Sequence, residues 1–244
     1  MIEVRGIAKR FGNVTAVEEV SFQAGDGVVT GLLGPNGAGK TTTLRIISTL
    51  VAPDRGQALV DGLDVREQPL EARRRLGVLP DARGLYPRLT AREHIRYFGE
   101  LHGIVGAELS RRTDELVELL DMKEIADRRA EGFSQGERVK VALSRALVHQ
   151  PRNVLLDEPT NGLDVMSTRA VRELIRRLRD QGRCVVFSSH VMQEVSALCD
   201  RIVVVARGRV AAEGTAAELR ARTGQESLEE AFVQIIGSDS GLER

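Results

Sequence analysis

Apolar positions fall in three short runs through the first part of the chain, 2–8, 14–22 and 28–33. Turn residues separate them, Phe11-Gly12-Asn13 and Gly25-Asp26-Gly27. Short apolar runs bounded by glycine and aspartate read as strands, and these predict an antiparallel N-terminal layer feeding the third run. A helix-periodic segment follows over about 40–50. The turn Pro53-Asp54-Arg55-Gly56 then leads to short strands at 57–60 and around Leu63, a helix at 69–75 and a strand at 76–79. From about residue 90 to 150 the period becomes that of helices. Thr90-Ala91-Arg92-Glu93 is a capping box for a helix to about His102, and Ser110 is expected to cap a second. A third runs from about 136 to 149 with Val139, Leu143, Ala146 and Leu147 on one face. The α/β rhythm resumes with a buried strand at 153–157, a helix at 167–180 ended by Gly182, a strand at 184–188 and a helix at 191–198. A hairpin around Arg207-Gly208-Arg209 and helices at 215–221 and 227–236 complete it. The expected organisation is one α/β domain over 1–235. Residues 1–87 and 151–235 form its core, about 88–150 an inserted α-helical subdomain, and 236–244 a tail.

Composition supports a packed core, with 42% apolar and 29% charged residues in 244. Lysine plus arginine and aspartate plus glutamate number 35 each, so the whole surface gives no electrostatic reason to expect nucleic acid; a local basic patch stays open. Cys184 and Cys199 have no metal-binding spacing. No apolar run approaches the roughly 18 residues of a membrane span, and the start of the chain reads as a strand rather than a signal peptide. Any membrane contact is expected to go through a partner.

The third apolar run ends in Gly34-Pro35-Asn36-Gly37-Ala38-Gly39-Lys40-Thr41-Thr42. Strand, glycine-rich turn and helix are the context in which G-x-x-x-x-G-K-T acts as a phosphate loop. Its glycines let successive N–H groups turn toward an anion, and the following helix adds its positive end. Lys40 is expected to reach the β- and γ-phosphates and Thr41 to offer a hydroxyl to Mg²⁺. Asp157 ends an apolar strand, the edge where ligands bind in parallel sheets, and is placed to hold Mg²⁺. Glu158 beside it is placed to polarise an attacking water. Read singly, three other features stay open. Phe11 could stack on a base or pack at an edge. Ser134-Gln135-Gly136-Glu137 could be a second anion site or only an N-cap. His190, after a strand, could bond a γ-phosphate or serve as a structural histidine.

Taken together and in order, these motifs resemble the nucleotide-binding subunits of ATP-binding cassette (ABC) transporters over about residues 1–235. The ordered pieces are Phe11, the phosphate loop, a lid-like segment at 79–87, the signature Phe133-Ser134-Gln135-Gly136-Glu137, Asp157-Glu158, the D-loop Asn161-Gly162-Leu163-Asp164 and the switch His190. The resemblance implies a P-loop NTPase (RecA-like) core sheet with an N-terminal antiparallel β layer and an inserted helical subdomain. It implies ATP and Mg²⁺ as ligands. Phe11 would stack on adenine, Glu158 act as general base and His190 sense the γ-phosphate. Ser134, Gln135, Gly136 and Glu137 would meet the nucleotide of a second copy of the chain, and Asp164 would link the two sites. Transmembrane permease subunits would couple the cycle to transport at the cytoplasmic face of the membrane.

Two departures from the family pattern stand out. Asp81 occupies the position where glutamine usually reaches Mg²⁺ and water; it can ligate the metal but is shorter and charged. In the signature, Gln135 replaces a glycine and Glu137 a glutamine. With Leu85-Tyr86-Pro87-Arg88-Leu89-Thr90-Ala91-Arg92-Glu93 and Asn161-Gly162-Leu163-Asp164, these departures look like the ABC-2 exporter branch, most like its sodium-extruding NatA-type ATPases, and the C-terminal Leu228-Glu229-Glu230-Ala231-Phe232 is similar to that branch's closing helix. The rival reading is a soluble ABC ATPase not coupled to transport, of DNA-repair or regulatory kind. The short interval between phosphate loop and signature disfavours the first kind, and Glu158 with His190 the second.

Overall fold

The computed structural model describes residues 1–81 and 84–239. In chain order the elements are β1 (Ile2–Phe11), β2 (Val14–Ala24), β3 (Val29–Leu33), α1 (Lys40–Ile47), β4 (Arg55–Val60), β5 (Leu63–Asp64), α2 (Pro69–Arg74) and β6 (Leu76–Leu79). The helices α3 (Ala91–Leu101), α4 (Gly106–Leu119) and α5 (Gln135–Leu147) follow. Then come β7 (Asn153–Asp157), α6 (Val165–Asp180), β8 (Cys184–Ser189), α7 (Met192–Leu198), β9 (Arg201–Ala206), β10 (Arg209–Gly214), α8 (Ala216–Thr223) and α9 (Leu228–Asp239).

The strands join in the order β5-β4-β1-β2-β10-β9-β3-β8-β7-β6. β1, β2, β4 and β5 pair antiparallel among themselves, as the alternating N-terminal runs predict. β9, β3, β8, β7 and β6 are parallel neighbours. The two sets meet where β10 pairs with β2 through Arg209 and Glu19.

Side chains alternate across a strand, and here the alternation sorts the core into two layers. Val154 and Leu156 of β7, Val185 and Phe187 of β8, and Ile202 and Val204 of β9 pack with α3–α6. Leu155, Val186, Val203 and Val205 point the other way, toward α1, α2 and the antiparallel strands. The helices between β6 and β7 share the first layer: Ile95, Leu109, Val139 and Leu143 belong to the same apolar cluster as the sheet and Leu174 of α6.

Some boundaries differ from the sequence expectation. α4 begins a turn before Ser110, at Gly106, with no side-chain cap. Ser110 lies inside the helix, where its hydroxyl donates to the Gly106 carbonyl. α6 begins at Val165 because the Asp164 side chain accepts from the Ser167 N–H. α1 stops at Ile47, short of residue 50.

Candidate active site

The parallel order sets β3, β8 and β7 side by side, with Leu33 in register with Ser189 and Asp157 with Ser188. Three chain segments therefore emerge together at the carboxyl edge: the glycine loop after β3, Asp157-Glu158 after β7 and Ser189-His190 at the end of β8. A cavity of about 400 Å³ opens there, lined by Val14–Ala16 (14–16), residues 36–42, Asp81, Glu158, Asn161 and His190.

The loop fits only because two positions lack a side chain. A Cβ at Gly34 would stand 2.2 Å from the Val205 carbonyl oxygen, and one at Gly39 would stand 2.6 Å from that of Ala16. Gly39 also caps α1 with φ 105°, a left-handed conformation open to glycine. Lys40 starts the helix, and its side chain folds back over the loop. Its Nζ donates to the carbonyls of Gly34 at 2.7 Å and Pro35 at 3.1 Å, and lies 3.6 Å from Glu158 Oε1. Burial lowers the Lys40 pKa, while the Glu158 and Asp157 carboxylates oppose the shift. Gly34 and Pro35 thus serve the site through their carbonyls, whereas residues 36–42 face the cavity.

Thr41 Oγ1 donates to Asp157 Oδ1 at 3.0 Å. Ser188 Oγ donates to the same oxygen at 2.6 Å and accepts from the Glu158 N–H at 3.0 Å. His190 Nδ1 sits 3.1 Å from Glu158 Oε2. The Thr41 hydroxyl, which meets the Asp157 carboxylate, and the Glu158 and Asp81 carboxylates on the cavity lining are the kind of hard oxygen donors that suit Mg²⁺. No group of three or more acidic, histidine or cysteine side chains among the described residues could hold a metal ion, so a cation here would take most of its shell from phosphate and water, as Mg²⁺ does.

The remaining predicted residues lie apart from this cavity. Phe11 is 49% exposed at the end of β1, opposite Val14 in the hairpin and under Lys9 Nζ, 5.6 Å from the ring centroid. It stands beside the residues that line the cavity rather than among them. Ser134 caps α5: its hydroxyl accepts from the Glu137 N–H, and Glu137 accepts from the Ser134 N–H. Gly136 packs on the start of α6, where a Cβ would meet Ser167 Oγ at 2.6 Å. Gln135 lies near Gly162, so signature and D-loop touch each other within one chain. The lid-like segment is described only in part, since Ala82 and Arg83 lie outside the described residues.

A family model for ABC transporters matches residues 17–161. The ABC transporter ATP-binding protein NatA of Bacillus subtilis (strain 168) is 42% identical over 241 residues, covering 97% of this chain and 98% of that one. The chain belongs to the ABC transporter family. The linearmycin resistance ATP-binding protein LnrL of the same organism is 36% identical, over 93% of this chain and 73% of its own. Among solved structures, an ATP-binding subunit of an ABC transporter superimposes with a TM-score of 0.89 at 30% identity, covering 96% and 99% of the two chains. A dimeric cassette in a post-hydrolysis state with ADP and Pi bound gives 0.81 at 25% identity, covering 88% and 98%. The protein is an ABC ATPase with the P-loop NTPase fold.

Within this ABC ATPase, reading the sequence missed Val14, Thr15, Ala16, Asn161 and Ser188 at the site. The first three carry no motif; they reach the cavity because β2 runs past the phosphate loop. Asn161 was read only as part of the D-loop. Ser188 had a signal that went unused: a polar residue closing an apolar strand, two positions before His190.

Proposed function

We propose that this ABC ATPase powers a membrane exporter by closing as a dimer around ATP and reopening after hydrolysis. The observation that carries the reading is the split between two sets of residues. Lys40, Thr41, Glu158 and His190 line one cavity, with Asp157 bonded behind it to Thr41 Oγ1, whereas Ser134-Gln135-Gly136-Glu137 opens a helix outside that cavity's lining. A second chain would bring its signature to the cavity, so each ATP would lie between two subunits. Val165 and Met166, next to Asp164, are 83% and 71% exposed, an apolar surface that suits burial in such an interface.

In this reading Phe11 stacks on adenine from the hairpin edge, and the N–H groups of residues 36–42 cradle the phosphates. Lys40 leaves its loop carbonyls for the β- and γ-phosphates. Thr41, Asp157 and Asp81 would hold Mg²⁺, which when bound would neutralise phosphate charge and polarise the γ-phosphoryl group. Glu158 takes the proton of the attacking water, and His190, already against Glu158, senses the γ-phosphate. Ser134 and Gly136 offer the partner's nucleotide a helix N-terminus, and residues 88–150 act as the subdomain that delivers it. No helix among the described residues is long and apolar enough to cross a membrane; in this reading the chain sits at the cytoplasmic face and transmembrane permease subunits supply the passage. Sodium as cargo rests on the NatA-type likeness of the sequence.

Two measurements test this. Glu158→Gln is expected to lower turnover by about 10²–10⁴-fold, the contribution of a general base, and to accumulate an ATP-bound dimer. Gel filtration with ATP that shows only monomer would overturn the sandwich. Lys40→Ala is expected to lose nucleotide binding by titration with a fluorescent ATP analogue; wild-type affinity would remove the phosphate-loop assignment.

A further inference from the structure

We infer that Ser188 is a positioning residue for hydrolysis, one hydroxyl that fixes both Asp157 and Glu158. The inference rests on the reading of Glu158 as the base. Ser188 lies on β8 in direct register with Asp157 on β7 and is fully buried. A buried hydroxyl needs partners, and this one has two. It donates to Asp157 Oδ1 at 2.6 Å and accepts from the Glu158 backbone N–H at 3.0 Å.

The second bond bears on an unusual backbone. Glu158 has φ 46°, a left-handed conformation that costs a side-chain-bearing residue on the order of 1 kcal/mol or more. That conformation turns the chain sharply at the sheet edge. It leaves the Glu158 carboxylate facing the cavity, with Oε1 3.6 Å from Lys40 Nζ and Oε2 3.1 Å from His190 Nδ1. The N–H that Ser188 holds belongs to the strained residue itself, so the bond acts where the peptide would otherwise relax toward ordinary φ.

The first bond differs from the other one that Asp157 Oδ1 accepts. Thr41 reaches that oxygen from the phosphate loop, on the cavity side. Ser188 reaches it from inside the sheet, through neighbouring strands whose spacing ligand binding does not set. The next hydroxyl along has another use: Ser189 Oγ accepts from the Val191 N–H and shapes the turn into α7. The linkage of the Asp157 carboxylate to the Glu158 backbone N–H belongs to Ser188.

The test is steady-state hydrolysis, ATP-analogue affinity and thermal melting of Ser188→Ala, Ser188→Cys and Ser188→Thr, with Glu158→Gln alone and combined with Ser188→Ala. Loss of placement at the base is expected to lower kcat by about tenfold or more in the alanine variant, with KM and analogue affinity within about twofold. Cysteine, similar in size but a weak donor and acceptor, is expected to behave like alanine, and threonine, which keeps the hydroxyl, to recover most of the rate. In the Glu158→Gln background the alanine change is expected to cost less than its full factor, because residues acting as a unit are not additive. A wild-type kcat in Ser188→Ala beside an impaired Glu158→Gln overturns the role of Ser188 alone. Equal losses in all three Ser188 variants, or parallel changes in kcat and affinity, also overturn it, since they assign the effect to packing. Wild-type turnover in Glu158→Gln overturns the reading of the site on which the inference rests.

Discussion

Histidines away from the cavity tie particular loops to the core through their neutral form. His94 is fully buried. Its Nδ1 faces the Thr90 carbonyl at 2.8 Å, and its Nε2 accepts from the Tyr86 N–H at 2.9 Å. Those contacts pin the segment leading from the lid into α3. Protonation would remove the acceptor, and burial lowers the pKa accordingly. His149 donates Nε2–H to the Leu76 carbonyl at 2.9 Å and stacks on His102 with centroids 3.7 Å apart. Burial first, and then the neighbouring His102, bring its pKa down from 6.5 to about 4. Since the folded value is the lower one, the stability linked to His149 is complete above pH 6.5 and is lost as pH falls toward 4. Such a shift is worth on the order of 3 kcal/mol. Denaturant melts between pH 7 and 4 are expected to show this loss and to show less of it in His149→Gln.

At the scale of the element, capping decides where helices start and how legible those starts are. α3, α5 and α8 open with reciprocal capping boxes, Thr90 with Glu93, Ser134 with Glu137 and Thr215 with Glu218. Thr90-x-x-Glu93 was visible in the sequence. α4 has no capping side chain, so no local signal marked Gly106, and Ser110 drew the expectation a turn too far along. Glu137 is desolvated, yet its pKa is lowered because the Ser134 N–H and hydroxyl and the Arg128 guanidinium favour its charged form. The signature's glutamate is therefore a cap partner within its own chain. Thr90→Ala and Ser134→Ala are each expected to cost about 1 kcal/mol, a fall in Tm of about 2–4 °C for a chain of this size. ATP-driven dimerisation, read by light scattering, is expected to fail only in Ser134→Ala. Equal dimerisation in both would confine the signature to a structural role.

For the whole molecule, the sheet order is what makes a site. Thr41, Asp157 and Ser188 are separated by 116 and 31 positions along the chain and meet because β3, β8 and β7 are adjacent parallel strands. The same assembly leaves Val165 and Met166 exposed beside Asp164. Val165→Asp with Met166→Asp is expected to leave monomer stability within about 0.5 kcal/mol, as surface changes usually do, while weakening the ATP-bound dimer of Glu158→Gln by gel filtration. Mixing Lys40→Ala subunits with Ser134→Arg subunits is expected to recover part of the hydrolysis that each lacks alone, because a two-fold dimer of the mixture keeps one cavity with both halves intact.

The local pattern determined a great deal. Short apolar runs bounded by turn residues gave the strands, including β3, β7 and β8, which are buried throughout. Glycine spacing gave the phosphate loop, because G-x-x-x-x-G-K-T between a strand run and a helix run is a local turn pattern. The ordered motifs gave the family. These are properties of neighbours in sequence, set by backbone sterics and turn chemistry. What only the tertiary structure decided concerns residues brought together from distant positions. It set Ser188 across from Asp157, led β2 past the loop so that Thr15 and Ala16 line the cavity, folded Lys40 onto Gly34 and Pro35, and turned the signature against α6. Strand order and helix packing fix those meetings, and both are settled by burial of the two apolar layers rather than by any short stretch of the chain.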